Sequence, residues 1–179
     1  MSIMATHTLT RDDLDALPDD GLRHELIDGQ FVMTPAPGSA HQIVSNSLHL
    51  KLGVLLANTG LVALYAPLDV VLGPNVVEPD LLVTPRAALG EHDLSTPPLL
   101  VVEILSPSTA RIDRGRKRDL YEEFGVHSYW IVNPSEPSVT TMELYGGRYE
   151  VVAHAVGDQS VSVASPVALT FTPAELTRG

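Results

Sequence analysis

The sequence predicts a mixed α/β fold, a central sheet covered by helices on both faces with additional β-hairpins. Three observations carry that prediction. The elements read in the order hairpin, helix, three strands, helix, strand, hairpin, which needs layers on both sides of one sheet. The runs 76–83 and 99–105 are rich in Val and Leu on both faces, as strands buried on both sides are. Val44, Leu48, Leu52, Leu55 and Leu56 recur at helical spacing behind Ser39, so a long helix precedes those strands.

Each element has a local cause. Thr10 precedes Arg11-Asp12-Asp13-Leu14 as an N-cap with acids in the first turn, which starts a short helix. Asp28-Gly29 lies between two alternating runs and predicts a tight hairpin, whose second strand ends at Pro35 and Pro37. Ser39 and Gln42 fit a capping box for the long helix, and Gly60 lies beyond its end. The run 61–72 is β-rich and is broken by Gly73-Pro74-Asn75. Pro107 ends the 99–105 strand, and a second helix starts at Ser108 or Asp113 and closes at Gly125. The strand 128–132 stops at Asn133-Pro134, and Gly146-Gly147 turns a second hairpin. Pro173-Ala174-Glu175-Leu176 starts a last helical turn.

A chain of 179 residues is read as one domain, 1–179. Within it we place an N-terminal helix and hairpin at 8–34, a core at 39–133, and a C-terminal hairpin and tail at 138–179. The absence of Cys excludes disulfides, thiolate metal sites and a Cys nucleophile. No apolar run approaches the roughly 20 residues that span a bilayer. The first twenty residues lack the basic and apolar blocks of a signal peptide. The expected location is cytoplasmic, with no membrane partner.

Eleven basic and 22 acidic residues give a net charge of −11, which disfavours a polyanionic partner over most of the surface. The window 111–118 is different. Arg111, Arg114, Arg116, Lys117 and Arg118 stand there against one acid, Asp113, for a net of +4, while the rest of the chain carries −15. Such a strip can meet a phosphate backbone locally, weakly and with strong salt dependence.

The informative residues are charges inside apolar patterns. Glu103 sits in Leu99-Leu100-Val101-Val102-Glu103-Ile104-Leu105, where an unpaired buried carboxylate is costly and nothing in the strand offers a partner. Asp80 follows Pro79 and opens Leu81-Leu82-Val83; taken alone it reads as a strand-end Asp in water. On the second helix Asp113, Lys117, Leu120, Tyr121 and Phe124 form one stripe, so Lys117 points toward the sheet with the apolar residues. The plainer account is a surface Asp113–Lys117 pair contributing about 0.2–0.5 kcal/mol. A sheet-facing Lys and a sheet-buried Glu explain each other better. Glu25 reads equally as a further acid of this group or as a solvated hairpin residue. His41, in the first turn of the long helix, can reach a metal, a water or a phosphate, or lie on the surface. Glu78 reads as rim charge, Ser106 and Ser108 as turn and N-cap residues, and His127 and Asp113 as outlying supports.

Clustered carboxylates repel, and a divalent cation relieves the repulsion. With oxygen ligands alone the expected ion is Mg²⁺ or Mn²⁺. Such an ion polarises a phosphodiester and acidifies a bound water, and a Lys balances charge on phosphoryl oxygens. No Gly-rich phosphate loop occurs, so hydrolysis is favoured over nucleotide-driven transfer.

Glu25-Leu26-Ile27-Asp28-Gly29, Val77-Glu78-Pro79-Asp80-Leu81-Leu82-Val83, and Val101-Val102-Glu103-Ile104-Leu105-Ser106-Pro107-Ser108-Thr109 with Asp113 and Lys117, then Tyr129-Trp130-Ile131-Val132, resemble the Uma-two family. That family lies within the PD-(D/E)XK, restriction-endonuclease-like superfamily, and the resemblance covers about residues 9–176. It implies a restriction-endonuclease-like mixed sheet and a metal-dependent endonuclease acting on nucleic acid, with DNA expected. Asp80 and Glu103 match the two superfamily acids and the metal ligands. Position 105, where the usual Lys stands, is Leu, and Lys117 matches a Lys moved onto the following helix. Glu25 matches an upstream acid, and His41 opens the helix that supplies another site residue. The expected catalytic set is thus Asp80, Glu103, Lys117, Glu25 and His41. Arg111, Arg114, Arg116 and Arg118 are expected to contact nucleic acid, and a homodimer would align two such strips. The competing expectation is a catalytically inactive interaction module on the same fold.

Overall fold

A computed structural model of the chain describes residues 8–178. It begins with α1 (Arg11–Asp15), the hairpin β1 (Arg23–Ile27) and β2 (Gln30–Thr34), and the long helix α2 (Ser39–Leu56). Strands β3 (Leu61–Tyr65), β4 (Asp69–Leu72), β5 (Asn75–Val77), β6 (Leu81–Pro85), β7 (Asp93–Leu94) and β8 (Leu100–Ile104) follow. The second helical segment is α3 (Ala110–Ile112), a π-helical turn (Asp113–Lys117) and α4 (Arg118–Glu123). The chain closes with β9 (Ser128–Asn133), β10 (Ser138–Tyr145), β11 (Arg148–Val156), β12 (Val161–Val163), β13 (Leu169–Phe171) and α5 (Pro173–Leu176).

The central layer is a six-stranded mixed sheet in the order β11-β10-β9-β8-β6-β3, antiparallel except for the parallel pair β8–β9. Strand alternation sends successive side chains of β6 and β8 to opposite faces. On one face Leu81, Val83, Leu100, Val102 and Ile104 pack against Val44, Leu48, Leu52 and Leu56 of α2. On the other, Leu82 and Val101 pack with Leu120 and Tyr121 of α4 and with Val70, Leu72 and Val77. Glu103 shares its parity with Val101, so it points into this second core.

The second core has a covering the sequence does not announce. A five-stranded sheet, β2-β1-β5-β4-β7, stands as its own layer rather than as hairpins appended to the central sheet. The run 76–83, expected as one strand, is two. Val76 and Val77 of β5 pair within the smaller sheet, the segment Glu78-Pro79-Asp80 leaves both ladders, and β6 pairs in the larger one. Pro79 offers no backbone donor, so the ladder cannot run through it. The run 61–72 is also divided, into β3 and β4, at Ala66-Pro67.

Local turn chemistry holds elsewhere. Asp28 and Gly29 both adopt positive φ, 53° and 69°, as the tightest hairpin turn requires. Helix α2 begins one residue earlier than the capping-box reading: Gly38 is the N-cap, without a side-chain cap, and Ser39 is already helical. The second helix has Thr109 rather than Ser108 at its N-cap position, without a side-chain cap, and it widens into the π-helical turn at Asp113–Lys117, a distortion that recurs at functional sites. Among the described residues no helix is long and apolar enough to cross a membrane.

Candidate active site

Five separate elements deliver ionisable side chains to one place. Strand β1 carries Arg23 and Glu25, two residues apart and therefore on one face. The break between β5 and β6 supplies Asp80, β8 supplies Glu103, and the π-helical turn supplies Asp113 and Lys117. The first turn of α2 supplies His41. Glu25, His41, Asp80, Glu103 and Lys117 all line one pocket of about 70 Å³, together with Arg23 and Asp113. That is room for a few water molecules. A more open cleft of about 400 Å³ adjoins it and shares Arg23, Pro37, His41 and Asp80.

Two ion clusters meet across the pocket. In the first, Lys117 Nζ lies 2.9 Å from Glu25 Oε1 and 2.8 Å from Glu103 Oε1, with Asp113 Oδ1 farther off at 3.9 Å. The Tyr121 hydroxyl donates to Glu103 Oε1 at 2.8 Å, and the Glu78 backbone N–H donates to Glu25 Oε1 at 2.8 Å. In the second, Asp80 Oδ1 accepts from Arg23 Nη1 at 2.8 Å, and Asp80 Oδ2 accepts from the Ile104 N–H at 2.8 Å and lies 2.9 Å from His41 Nε2. Lys117 is thus turned inward, as the helical stripe predicts.

Burial and charge balance set the chemistry. Glu25, Asp80, Glu103 and Asp113 are 2%, 5%, 1% and 1% exposed. Against four carboxylates stand two fixed cations, Arg23 and Lys117. Burial pushes the Glu103 carboxyl well above the carboxylate range, and Asp113, Asp80 and Glu25 add to the rise while Lys117 opposes it. Burial likewise pushes Asp113 up to about 6 against the opposing charge of Lys117. Burial also works to raise Asp80, but the His41 hydrogen bond and the charges of His41, Arg23 and Lys117 outweigh it and hold Asp80 well below the usual range. For Lys117 burial favours the neutral amine, yet Glu103, Glu25, Asp113 and Asp80 together keep it charged. Burial and partners therefore push the acids apart: Asp80 is held toward the ionised form, while Glu103 and Asp113 are pushed toward the protonated form.

This division has a consequence for stability. Asp113 takes a proton more readily in the folded chain than at its ordinary 3.8, so its contribution is fully present below about pH 4 and is lost as pH rises through about 6. The stability of the wild type relative to Asp113→Asn is expected to fall by about 3 kcal/mol across that window. Urea midpoints of the two proteins at a series of pH values measure it; a constant difference would assign Asp113 no such shift.

The donor set suits a hard dication. Every carboxylate ligand is oxygen, the pocket carries an excess of negative charge, and Asp113 Oδ2 is buried without a hydrogen-bond partner among the described residues. As arranged, no three His, Asp or Glu side chains among the described residues are spaced to cage a metal. Mg²⁺ does not need such a cage, since it binds through one or two carboxylates and keeps several waters.

The four arginines expected to contact nucleic acid lie apart. Among the described residues none of them lines the acid pocket. Arg116 forms a bidentate pair with Asp28, and Arg118 binds Asp119 at 2.7 Å. Only Arg111 and Arg114 of that strip lack a carboxylate partner among the described residues. His127 is placed beside Ser128 and Ser165, away from the pocket. Conversely, sequence reasoning passed over Arg23, although its spacing from Glu25 puts both on one strand face. It also took Tyr121 only as an apolar contact.

A mixed sheet packed on both faces, with a buried acid–lysine cluster at the gap between its strands, defines the class: a restriction-endonuclease-like α/β fold. The chain belongs to the Uma2 family, described as "Putative restriction endonuclease", which it matches over residues 11–175. It is also similar to the crystal structure of "a putative nuclease belonging to DUF820" from Anabaena variabilis ATCC 29413, with a TM-score of 0.75 and 20% identity over 94% of this chain and 97% of that one. That likeness shows the fold alone. No curated protein matches the chain.

Proposed function

We propose that this chain is a divalent-cation-dependent endonuclease that hydrolyses phosphodiester bonds, with DNA as substrate and Mg²⁺ or Mn²⁺ as the cation. The observation that carries the reading is the pairing of one inward-facing Lys117 with Glu25 and Glu103 inside a pocket that also holds Asp80. A purely structural ion pair needs one acid for one base. Four buried acids against two fixed cations are a standing cost that a further positive charge relieves.

Asp80 and Glu103 would hold the cation, which when bound polarises the phosphodiester and acidifies a water. His41 and Arg23 fix the orientation of Asp80 and keep it ionised. Lys117 has three N–H donors, of which Glu25 and Glu103 engage two. The third is available to a phosphoryl oxygen as negative charge grows there. Tyr121 and Lys117 hold the Glu103 carboxyl in place, and Glu25 anchors Lys117. Arg111 and Arg114 are the cations of the basic strip left free for a neighbouring phosphate.

The test is cleavage of supercoiled, linear duplex and single-stranded DNA by the purified protein, at least one of which is expected to be cut. Cleavage is expected with Mg²⁺ or Mn²⁺ and none with EDTA. No cleavage of any substrate, together with a melting temperature indifferent to either ion, would instead favour the inactive interaction module. A cytoplasmic location and a homodimer complete the proposal, and a monomeric mass by light scattering would remove the dimer from it.

A further inference from the structure

The acid pocket is small and its carboxylates are buried. Glu103 is 1% exposed and Asp80 5%, and the pocket holds about 70 Å³. A phosphate on a strand free of its partner has the readiest access to such groups. The open cleft beside the pocket, about 400 Å³, has the volume of a small-ligand site. Its wall carries Tyr65, the last residue of β3 and 58% exposed, and Leu22, 42% exposed. Tyr65 stands perpendicular to His49, with ring centroids 4.8 Å apart, so its ring is held rather than loose. Arg23, His41 and Asp80 belong to the cleft and to the pocket alike.

The charge distribution points the same way. Eight of the eleven Lys and Arg residues are engaged by carboxylates of the same chain: Lys51 by Glu175 and Arg148 by Glu122, for example. Arg86, Arg111 and Arg114 are the three without such a partner among the described residues. Duplex binding of ordinary strength neutralises roughly 6–10 phosphates. Three free cations on a body of net charge −11 fall short of that. Stacking of a base on an aromatic ring adds about 1–3 kcal/mol without a further phosphate contact.

We propose that the cleft takes an unpaired nucleobase of a single-stranded nucleic acid, stacked on Tyr65, and that this seating leads the adjoining phosphate into the acid pocket. The second half rests on the nuclease reading; the first does not, because stacking needs no catalysis. Substrates would accordingly be single strands, flaps or frayed ends rather than intact duplex.

Fluorescence anisotropy in EDTA tests the seating directly, with a labelled single strand of about 12 nucleotides and the corresponding duplex at low salt. The single strand is expected to bind at least about tenfold more tightly. Tyr65→Ala is expected to lose about tenfold in affinity for it, and Tyr65→Phe, which keeps the ring, to bind as the wild type does. Circular dichroism and melting of the variants confirm that this exposed position leaves the fold intact. Equal or tighter binding of the duplex, or wild-type affinity in Tyr65→Ala, would overturn the proposal. DNA and RNA strands of one sequence identify which polymer the cleft prefers. Metal-dependent cutting of duplex that ignores Tyr65 would sink this inference and leave the nuclease reading standing. Tyr65-dependent strand binding with no cutting of any substrate would do the reverse.

Discussion

Lys117→Met is expected to cost about 3–5 kcal/mol of stability at neutral pH and to abolish metal-dependent cleavage. The side chain is 2% exposed and is the shared partner of Glu25 and Glu103. Removing it strands two carboxylates in a pocket where burial already pushes Glu103 upward. The expected loss is pH-dependent, because stranded carboxyls can take up protons. At acid pH the variant should recover much of the difference, since carboxylates that are protonated no longer need a counter-ion. Urea denaturation of wild type and variant at both pH values gives the comparison. Wild-type stability at pH 7 would show that Lys117 is not the counter-ion of the cluster.

Glu103→Gln should separate structure from chemistry. The amide keeps an acceptor for the Tyr121 hydroxyl and for Lys117, both of which now address Oε1. It also removes a charge that burial disfavours. The variant is therefore expected to fold with stability within about 1–2 kcal/mol of the wild type. A neutral amide is a poor ligand for a hard dication, so cleavage should fall by about a thousandfold or more, equivalent to about 4 kcal/mol of barrier. Rates on the preferred substrate with Mg²⁺ and with Mn²⁺ measure it. Undiminished cleavage would mean that Glu103 takes no part and that the activity belongs to another site or to a contaminant. The pair of variants is informative together: one should lose fold stability and activity, the other activity alone.

Much of the fold is legible where the cause is local. Asp28-Gly29 forces its hairpin, the spacing of Val44, Leu48, Leu52 and Leu56 gives α2 its buried face while Leu55 of the same run is exposed, and Gly125, with φ of 79°, ends α4 where a Gly is expected. The split of the run 76–83 is not legible in the same way. Both halves are Val- and Leu-rich, and only their partners, Leu26 for β5 and Val101 and Val102 for β6, show that they belong to different sheets. The π-helical turn that carries Asp113 and Lys117 has no signal in the residues that form it. The arginine strip shows the opposite failure. It looks like one continuous basic surface, yet Arg116 is taken by Asp28, 88 positions away.

What the sequence determined by itself is which residues are anomalous: Glu103 within an apolar strand and Lys117 on an apolar stripe, whereas Asp80 alone read as a strand-end Asp in water. Hydrophobic burial is a local statistical demand, so a charge that violates it is visible without coordinates. What only the tertiary structure decided is how the anomalies are resolved. It joined Lys117 to Glu25 and Glu103, gave Asp80 to Arg23 and His41, and left Arg111 and Arg114 without a carboxylate partner among the described residues. Those outcomes depend on distances between segments 14 to 92 positions apart, where Coulomb energy varies with ångströms and with burial that no single segment contains.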